Sequence, residues 1–454
     1  MKPFTLQEVL NATGGNLKNG MGNQEVFGVS TDTRKIQSGD LFFALIGENT
    51  DGHLYIEKAY EKGCGGVVVS KEVPLQEGIA VIQVEDTLAA LQQLAADYLK
   101  KFSLKKIAVT GSTGKTTTKE MLFLFLSTMG ETAKNEGNFN NHIGLPLTVF
   151  TVEEKHQYVV FEMGMSGLGE IHLMTDIVRP DMAVITNIGV SHIERLGSQE
   201  NILKAKMEVT DYFSTGNTLV INDDNDLLSQ VEENVFYDVV RVGKKEHCKY
   251  QILEIKDEKE NGITLTLKID KREYSFKIMA PGIHNGYNCA VAVAVACEMG
   301  AEPLDLIEAL PQFKPTDKRL MIKKGKKESL ILDDTYNASP DSMKAALSVL
   351  NSYDESRRIA ILGDMFELGE QSSEYHKEIG RLAGSENHMV LSVGKDAAYI
   401  HQGAREFLSA DQAKYYGTKE ELIGDLDVKK GDVILVKASR GMRMEEIVDF
   451  LQKE

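Results

Sequence analysis

The chain opens with short apolar runs set between turn residues, such as Asp40-Leu-Phe-Phe-Ala-Leu and Gly66-Val-Val-Val. The pattern then changes. From Asp86, a side chain suited to an N-cap, Leu88, Leu91, Leu94, Ala95, Tyr98 and Leu99 recur at three- and four-residue spacing. That period lines up one apolar face and predicts an amphipathic helix closing a small α/β unit. The basic segment Lys100, Lys101, Lys105, Lys106 marks a boundary. Beyond it come Ile107-Ala-Val-Thr110, Tyr158-Val-Val-Phe161, Ala183-Val-Ile-Thr186 and Thr218-Leu-Val-Ile221, each trailed by turn and helix signals. Such alternation is expected of a mostly parallel sheet covered by helices.

Between Tyr250 and Ala280 the period falls to two around Asn261-Gly262, which predicts an antiparallel edge ribbon. An Ala-rich helix follows, Pro311 and Pro315 punctuate a linker, and a third strand series begins: Ser329–Leu332, Arg358–Leu362, Met389–Val393 and Val433–Val436. We therefore expect an α/β protein of three domains. A small domain spans 1–104, a central P-loop parallel-sheet domain spans 105–313, and a Rossmann-like domain spans 314–454.

Charge narrows the class. Acidic residues number 68 against 51 basic ones, a net charge of −17, which opposes nonspecific binding to nucleic acid or anionic lipid. An anionic substrate would have to be met by local cations and backbone donors. The amino terminus has no apolar core of a secretory signal, and the longest apolar stretch, Ala290 to Cys297, is too short to span a bilayer. A cytoplasmic monomer without stable membrane association is expected. Cys64, Cys248, Cys289 and Cys297 show no CxxC spacing and read as reduced thiols, the last two as small apolar residues of a helix.

The strand ending at Thr110 runs into Gly111-Ser112-Thr113-Gly114-Lys115-Thr116-Thr117, and a helix through Met121, Leu122, Phe125 and Met129 follows. Glycines let the backbone wrap a phosphate, amides at the helix start point at it, and Lys115 adds a mobile cation. The Thr116 hydroxyl suits Mg2+. A full Walker pattern has a glycine where Val109 stands, so the loop is a shortened variant that predicts ATP or GTP binding.

TGSTGKTTTKE, FEMGM at Phe161 to Met165 and NIGVSHIE at Asn187 to Glu194 together resemble the Mur ligase family. VSTDTRKIQSGDLFFAL followed by DGHLY is similar to that family's UDP-sugar domain, and PGIHNGYNCAVA, DDTYNASPDSM and LGDMFELGE to its adenine and carboxy-terminal motifs. GNFNNHIGLPLT and DDTYNASP resemble the branch that adds D-alanyl-D-alanine, and the DNPR string of the meso-diaminopimelate branch is missing. The resemblance implies a ligase of peptidoglycan precursor synthesis. It would join D-alanyl-D-alanine to UDP-N-acetylmuramoyl-tripeptide through an acyl phosphate, releasing ADP and phosphate.

Roles follow from the same resemblance. Lys115 would bridge the β- and γ-phosphates, Thr116 would hold one Mg2+, and Glu162 and His192 a second. Both stand at or just past strand ends, where ligands of such sheets bind. Lys206, in Asn201-Ile-Leu-Lys-Ala-Lys-Met, matches the lysine that the family carbamylates, which would make it a further metal ligand. Asn138, Asn140 and Asn141 would face muramoyl and peptide groups. His284, Asn285 and Asn288 would read adenine, with Arg319, Asp334, Tyr336 and Asn337 closing on the nucleotide from the third domain, which must move to do so. Ser30, Thr31, Asp32 and Arg34, with Asp51 and His53, would hold uridine diphosphate. One departure stands at Lys318, where the family pattern leads us to expect a small residue before Arg319.

Taken as bare residues these positions have plainer readings: capping or surface residues for Glu162 and His192, polar turns for the asparagines, a helix cap for Asn285. Two other functions also stay open. One is a P-loop switch that signals through a partner without ligase chemistry; the other is a sister amide ligase, such as a folylpolyglutamate synthase or the third-residue Mur ligase.

Overall fold

The computed structural model describes residues 1–232 and 235–453. Three α/β strand systems follow one another along the chain, as the periodicity predicts. The first sheet has the order Asn16–Asn19, Ala80–Gln83, Gly66–Val69, Asp40–Phe43, Gly28–Ser30, parallel except for its first member. The predicted helix runs Thr87–Leu99, and the Asp86 carboxylate accepts from the Leu88 and Ala89 amides. Its apolar face buries Leu91, Leu94, Ala95, Tyr98 and Leu99. The Tyr98 hydroxyl donates to the Val152 carbonyl at 2.9 Å, tying this helix to the central domain.

The central sheet has nine strands, in the order Thr132–Lys134, Tyr158–Glu162, Lys105–Thr110, Met182–Ile185, Thr218–Asn222, Asp238–Gly243, Tyr250–Asp257, Ile263–Ile269, Arg272–Ile278. Neighbouring strands pair in parallel as far as Tyr250–Asp257; only Ile263–Ile269 is reversed, and it pairs antiparallel on both sides to form the expected edge ribbon. Ile107, Ala108 and Val109 are fully buried, as a strand covered on both faces requires. The ribbon's turns differ from the expectation. Asn261-Gly262 lies in a longer connection between the paired residues Asp257 and Ile263. The two-residue turn is Asp270-Lys271, between paired Ile269 and Arg272, with φ of 47° and 68°. Two left-handed residues match the twist of the strands they join.

The third sheet has the order Met321–Lys324, Leu330–Asp334, Val433–Lys437, Arg358–Gly363, Met389–Val393, Ala413–Tyr416, with only the first strand antiparallel. One apolar cluster extends from Phe4 and Leu41 through Phe161 and Ile185 to Leu332 and Leu435, so the three sheets share a continuous core. Burying each such side chain contributes about 1.5–3 kcal/mol before entropy is counted. The carboxyl ends of the central and third sheets converge on one cleft. Among the described residues, no helix is long and apolar enough to cross a membrane.

Candidate active site

The phosphate loop is shaped by its neighbours. Gly111 has φ 148°, and a Cβ there would meet the Thr186 hydroxyl at 1.9 Å. Gly114 has φ 81°, and a Cβ there would meet Asn288 Oδ1 at 2.2 Å. Glycine is therefore required twice, by backbone conformation and by close approach. Thr186 donates to the Thr113 carbonyl at 2.5 Å. Asn187 holds the loop from the other side: its Oδ1 accepts from the Thr113 amide at 2.8 Å, and its Nδ2 donates to Thr113 Oγ1 at 2.9 Å. Sequence reasoning placed Asn187 in a motif but gave it no role, since only the fold brings it to the loop.

The helix Lys115–Leu126 has no side-chain cap, which leaves its first amides free to face an anion. Lys115 Nζ donates to the Gly111 carbonyl at 2.8 Å. Burial pushes its pKa down, Glu162 opposes that shift, and Arg319 of the third domain adds to it.

Glu162 ends its strand almost fully buried, at 2% exposure. Its backbone amide donates to Asn135 Oδ1 at 2.9 Å, and its carbonyl accepts from Asn135 Nδ2 at 3.0 Å. Lys119 in turn donates to the Asn135 carbonyl at 2.9 Å. Asn140 Nδ2 donates to Glu162 Oε1 at 2.8 Å. Oε2 is buried without a hydrogen-bond partner and lies 3.8 Å from Lys119 Nζ. Such an orphaned carboxylate oxygen, with the buried Thr116 hydroxyl donor also on the cavity wall, is the oxygen-rich set that Mg2+ prefers, and the residues fit that ion. His192 stands apart from this pair in its present contact: its Nδ1 is 2.5 Å from Glu367 Oε2 of the third domain. Lys206 is 2% exposed on the helix Gln199–Met207, and its side-chain amine makes no hydrogen bond or ion pair among the described residues. Burial, reinforced by Lys115, holds its pKa well below the usual lysine range.

From the third domain, the Arg319 guanidinium lies 4.1 Å from the centre of the Tyr336 ring. Asp334 Oδ2 pairs with Lys437 Nζ at 2.6 Å, and Lys437 also donates to the Asn337 carbonyl at 2.7 Å. Lys437 is another residue that sequence reasoning missed, a buried lysine at a strand end. Lys318 has φ 61°, a conformation that suits a small residue. Its ammonium turns away to Glu445 at 2.9 Å, and its carbonyl accepts from the Tyr336 amide, so the departure leaves the Arg319 stack in place. On the helix Ile283–Glu298, Asn285 Nδ2 donates to the Pro281 carbonyl and Asn288 Nδ2 to Asn285 Oδ1. Burial keeps His284 biased to its neutral form, although Asp334 opposes the shift.

These groups enclose one cavity of about 570 Å³. Its walls carry the loop Ser112–Thr117, Asn138, Asn140, Asn141, Glu162, His192, His284, Asn285, Asn288, Arg319, Asp334, Tyr336 and Asn337. Lys206 is not on that wall. Asn141 also shapes a turn, accepting from the Ile143 and Gly144 amides.

Ser30, Thr31, Asp32, Arg34, Asp51 and His53 lie outside the cavity, on the first domain. Arg34 pairs with Asp32 at 2.7 Å and holds that carboxyl down to about 2. Lys35 stands 5.6 Å from the centre of the Phe139 ring, which brings this loop beside the asparagine-rich one. The Ser70 amide donates to His53 Nε2 at 3.0 Å, so His53 Nδ1 carries a proton towards Asp51, 2.6 Å away. Lys71, then His53, hold the Asp51 carboxyl well below its ordinary range.

A separate cluster joins Asp223, His247 and Cys248. Lys245 and His247 each reach Asp223 Oδ2 at 3.0 Å and Arg241 pairs with Oδ1, so the carboxylate is already neutralised and we assign it to holding the strand ends.

The comparisons agree across all three domains. Residues 25–99 match the Mur ligase family catalytic domain, 109–296 the Mur ligase middle domain, and 318–440 the Mur ligase glutamate ligase domain. The UDP-N-acetylmuramoyl-tripeptide–D-alanyl-D-alanine ligase of Bacillus subtilis is 41% identical over 98% of both chains. A crystal structure of MurF from Acinetobacter baumannii superposes with TM-score 0.92 at 31% identity, covering 100% of both chains. MurF ligase from Thermotoga maritima, solved with ADP, gives 0.83 at 28% identity, covering 93% of this chain and 96% of its own. With its phosphate loop, its three-domain architecture and relatives aligned from end to end, the chain belongs to the Mur ligase family.

Proposed function

We propose that this chain is the ATP-dependent ligase that joins D-alanyl-D-alanine to UDP-N-acetylmuramoyl-tripeptide in peptidoglycan precursor synthesis. The observation that carries the reading is the orphaned Glu162 oxygen, set in one cavity with Lys115 and with Arg319 from another domain. Full-length relatives that bear this activity favour it over a sister amide ligase or a switch protein.

The tripeptide's terminal carboxylate attacks the γ-phosphorus of ATP, the bond to the bridging oxygen breaks, and ADP leaves. The dipeptide's amine then attacks the acyl carbon, phosphate departs, and the nitrogen loses a proton. Lys115 and the amides of its helix hold the transferring phosphate, and the neutral His284 with Asn285 and Asn288 faces the base. Arg319, stacked on Tyr336, adds positive charge from the third domain. Phosphoryl transfer of this kind is catalysed mainly by such positioning and charge. Thr116 would hold one Mg2+, and Glu162 with His192 a second, where the ions would neutralise crowded phosphate oxygens.

We assign Lys206 as a carbamate. A desolvated neutral amine adds to carbon dioxide and loses a proton, and the resulting carboxylate would gain from the nearby Lys115 cation and would be able to hold Mg2+. Ser30, Thr31, Asp32 and Arg34, with Asp51 and His53, take the uridine diphosphate end, and Asn138, Asn140 and Asn141 the muramoyl-peptide. We place the enzyme in the cytoplasm as a monomer; its four thiols are free.

Phosphate release measured with ATP, UDP-muramoyl-tripeptide and D-alanyl-D-alanine should depend on all three. Turnover indifferent to the dipeptide, or supported instead by meso-diaminopimelate or glutamate with the matching acceptor, would overturn the reading.

A further inference from the structure

Asp341 belongs to the third domain, in the first turn of the helix Pro340–Asn351, yet its partner is in the central domain. Its Oδ2 accepts from the Val190 amide at 3.0 Å. The next residue back, Gly189, leaves the space that this carboxylate fills: a Cβ on Gly189 would lie 2.0 Å from Asp341 Oδ2. The φ of Gly189 is outside the left-handed region, so glycine is needed there for room and not for conformation.

The segment that Asp341 grips also shapes the phosphate loop. The Gly189 amide donates to Ser112 Oγ at 2.9 Å, the Ser112 amide donates to the Asn187 carbonyl at 3.0 Å, and Asn187 clamps Thr113 on both sides. A hydrogen-bonded path thus runs from the third domain to the loop: Asp341, Val190, Gly189, Ser112. Asp341 itself touches neither Lys115 nor Glu162 among the described residues.

We propose that Asp341 is a positioning residue that seats on Gly189 and couples docking of the third domain to the working geometry of the phosphate loop. The charge-assisted bond forms only in the docked arrangement, so it favours turnover without contributing to nucleotide capture by the undocked central domain. This inference rests on the ligase reading, and the activity of the unaltered enzyme tests that reading separately.

The experiment compares Asp341→Ala, Asp341→Asn, Gly189→Ala and the double variant Gly189→Ala/Asp341→Ala, each checked by thermal melting. Loss of a bond to a charged acceptor predicts about a tenfold fall in kcat for Asp341→Ala. ADP affinity by titration calorimetry should stay within about twofold, and Asp341→Asn, which keeps an acceptor, should recover part of kcat. Gly189→Ala should fall further, because the added methyl meets the carboxylate. The double variant should return to the level of Asp341→Ala, since the clash has lost its partner. Additive losses in the double variant, or a Gly189→Ala defect in ADP affinity that matches its kcat defect, would show that Gly189 serves the loop alone and would overturn the coupling. So would full kcat in Asp341→Ala.

Discussion

Glu367 of the third domain sits 2.5 Å from His192 of the central one, so a side chain proposed to hold a metal is also a point of contact between domains. The close contact with His192 holds the Glu367 carboxyl below its ordinary range. A depressed carboxylate pKa stabilises the docked form above the usual carboxylate range, and that contribution is lost as pH falls through the lowered value. Small-angle scattering should therefore show a docked, compact enzyme at neutral pH that loosens on acidification. Glu367→Gln should be looser at pH 7 and less sensitive to acid. Because Glu367 is half-exposed, the pair is worth about 1 kcal/mol or less, and a larger effect would point to other contacts.

Lys115→Ala should abolish phosphate release and leave UDP-muramoyl-tripeptide binding nearly intact, because its uridine diphosphate end is assigned to the first domain, away from Lys115. The melting free energy should change by about 1 kcal/mol or less, because the side chain starts a helix at the cleft and its ammonium reaches only the Gly111 carbonyl. Loss of both binding and melting cooperativity would mark misfolding instead.

Asn140→Ala removes the donor that orients Glu162 Oε1. Loss of a group that orients a ligand commonly costs 10–100-fold in metal affinity, on the order of which the apparent Mg2+ requirement should rise. A Mg2+ titration of activity, paired with Mn2+ binding followed by electron paramagnetic resonance, reads this directly. An unchanged requirement would leave Asn140 a peptide-facing residue only.

Much of this was legible because the signal was local. Both-face apolar strands, the Asp86 cap and the Gly-Lys-Thr loop each declare themselves within a few residues. The edge strands Asn16–Asn19, Met321–Lys324 and Ala413–Tyr416 were missed, since half-exposed edges lack a continuous apolar run. The tight turn at Asp270-Lys271 escaped notice because neither residue is glycine and the neighbouring Asn-Gly pair drew the prediction. Asn187, Asp341, Glu367 and Lys437 carry meaning only through partners far along the chain, which no spacing rule reaches.

Lys206→Ala should lose activity on the order of 10–100-fold and regain part of it with formate or acetate, small carboxylates able to stand in for the proposed carbamate. Carbon dioxide depletion should slow the unaltered enzyme and leave the variant unaffected. Carbon-13 magnetic resonance after labelled bicarbonate should give a carbamate carbon in the first and none in the second. Full activity of the variant would refute the assignment.

The alternating Ala and Val of the helix Ile283–Glu298 have a use beyond filling space. This helix packs beside the helix Lys115–Leu126, and both begin at the cleft, one proposed to face the base and the other the phosphates. Together they act as a caliper whose jaws are set by small side chains behind it. Ala292 is fully buried one turn beyond Asn288, the residue that approaches Gly114, and added volume there would spread the jaws without touching ATP. A stretch with no chemistry of its own is thus expected to be as exacting about size as the residues that meet the nucleotide.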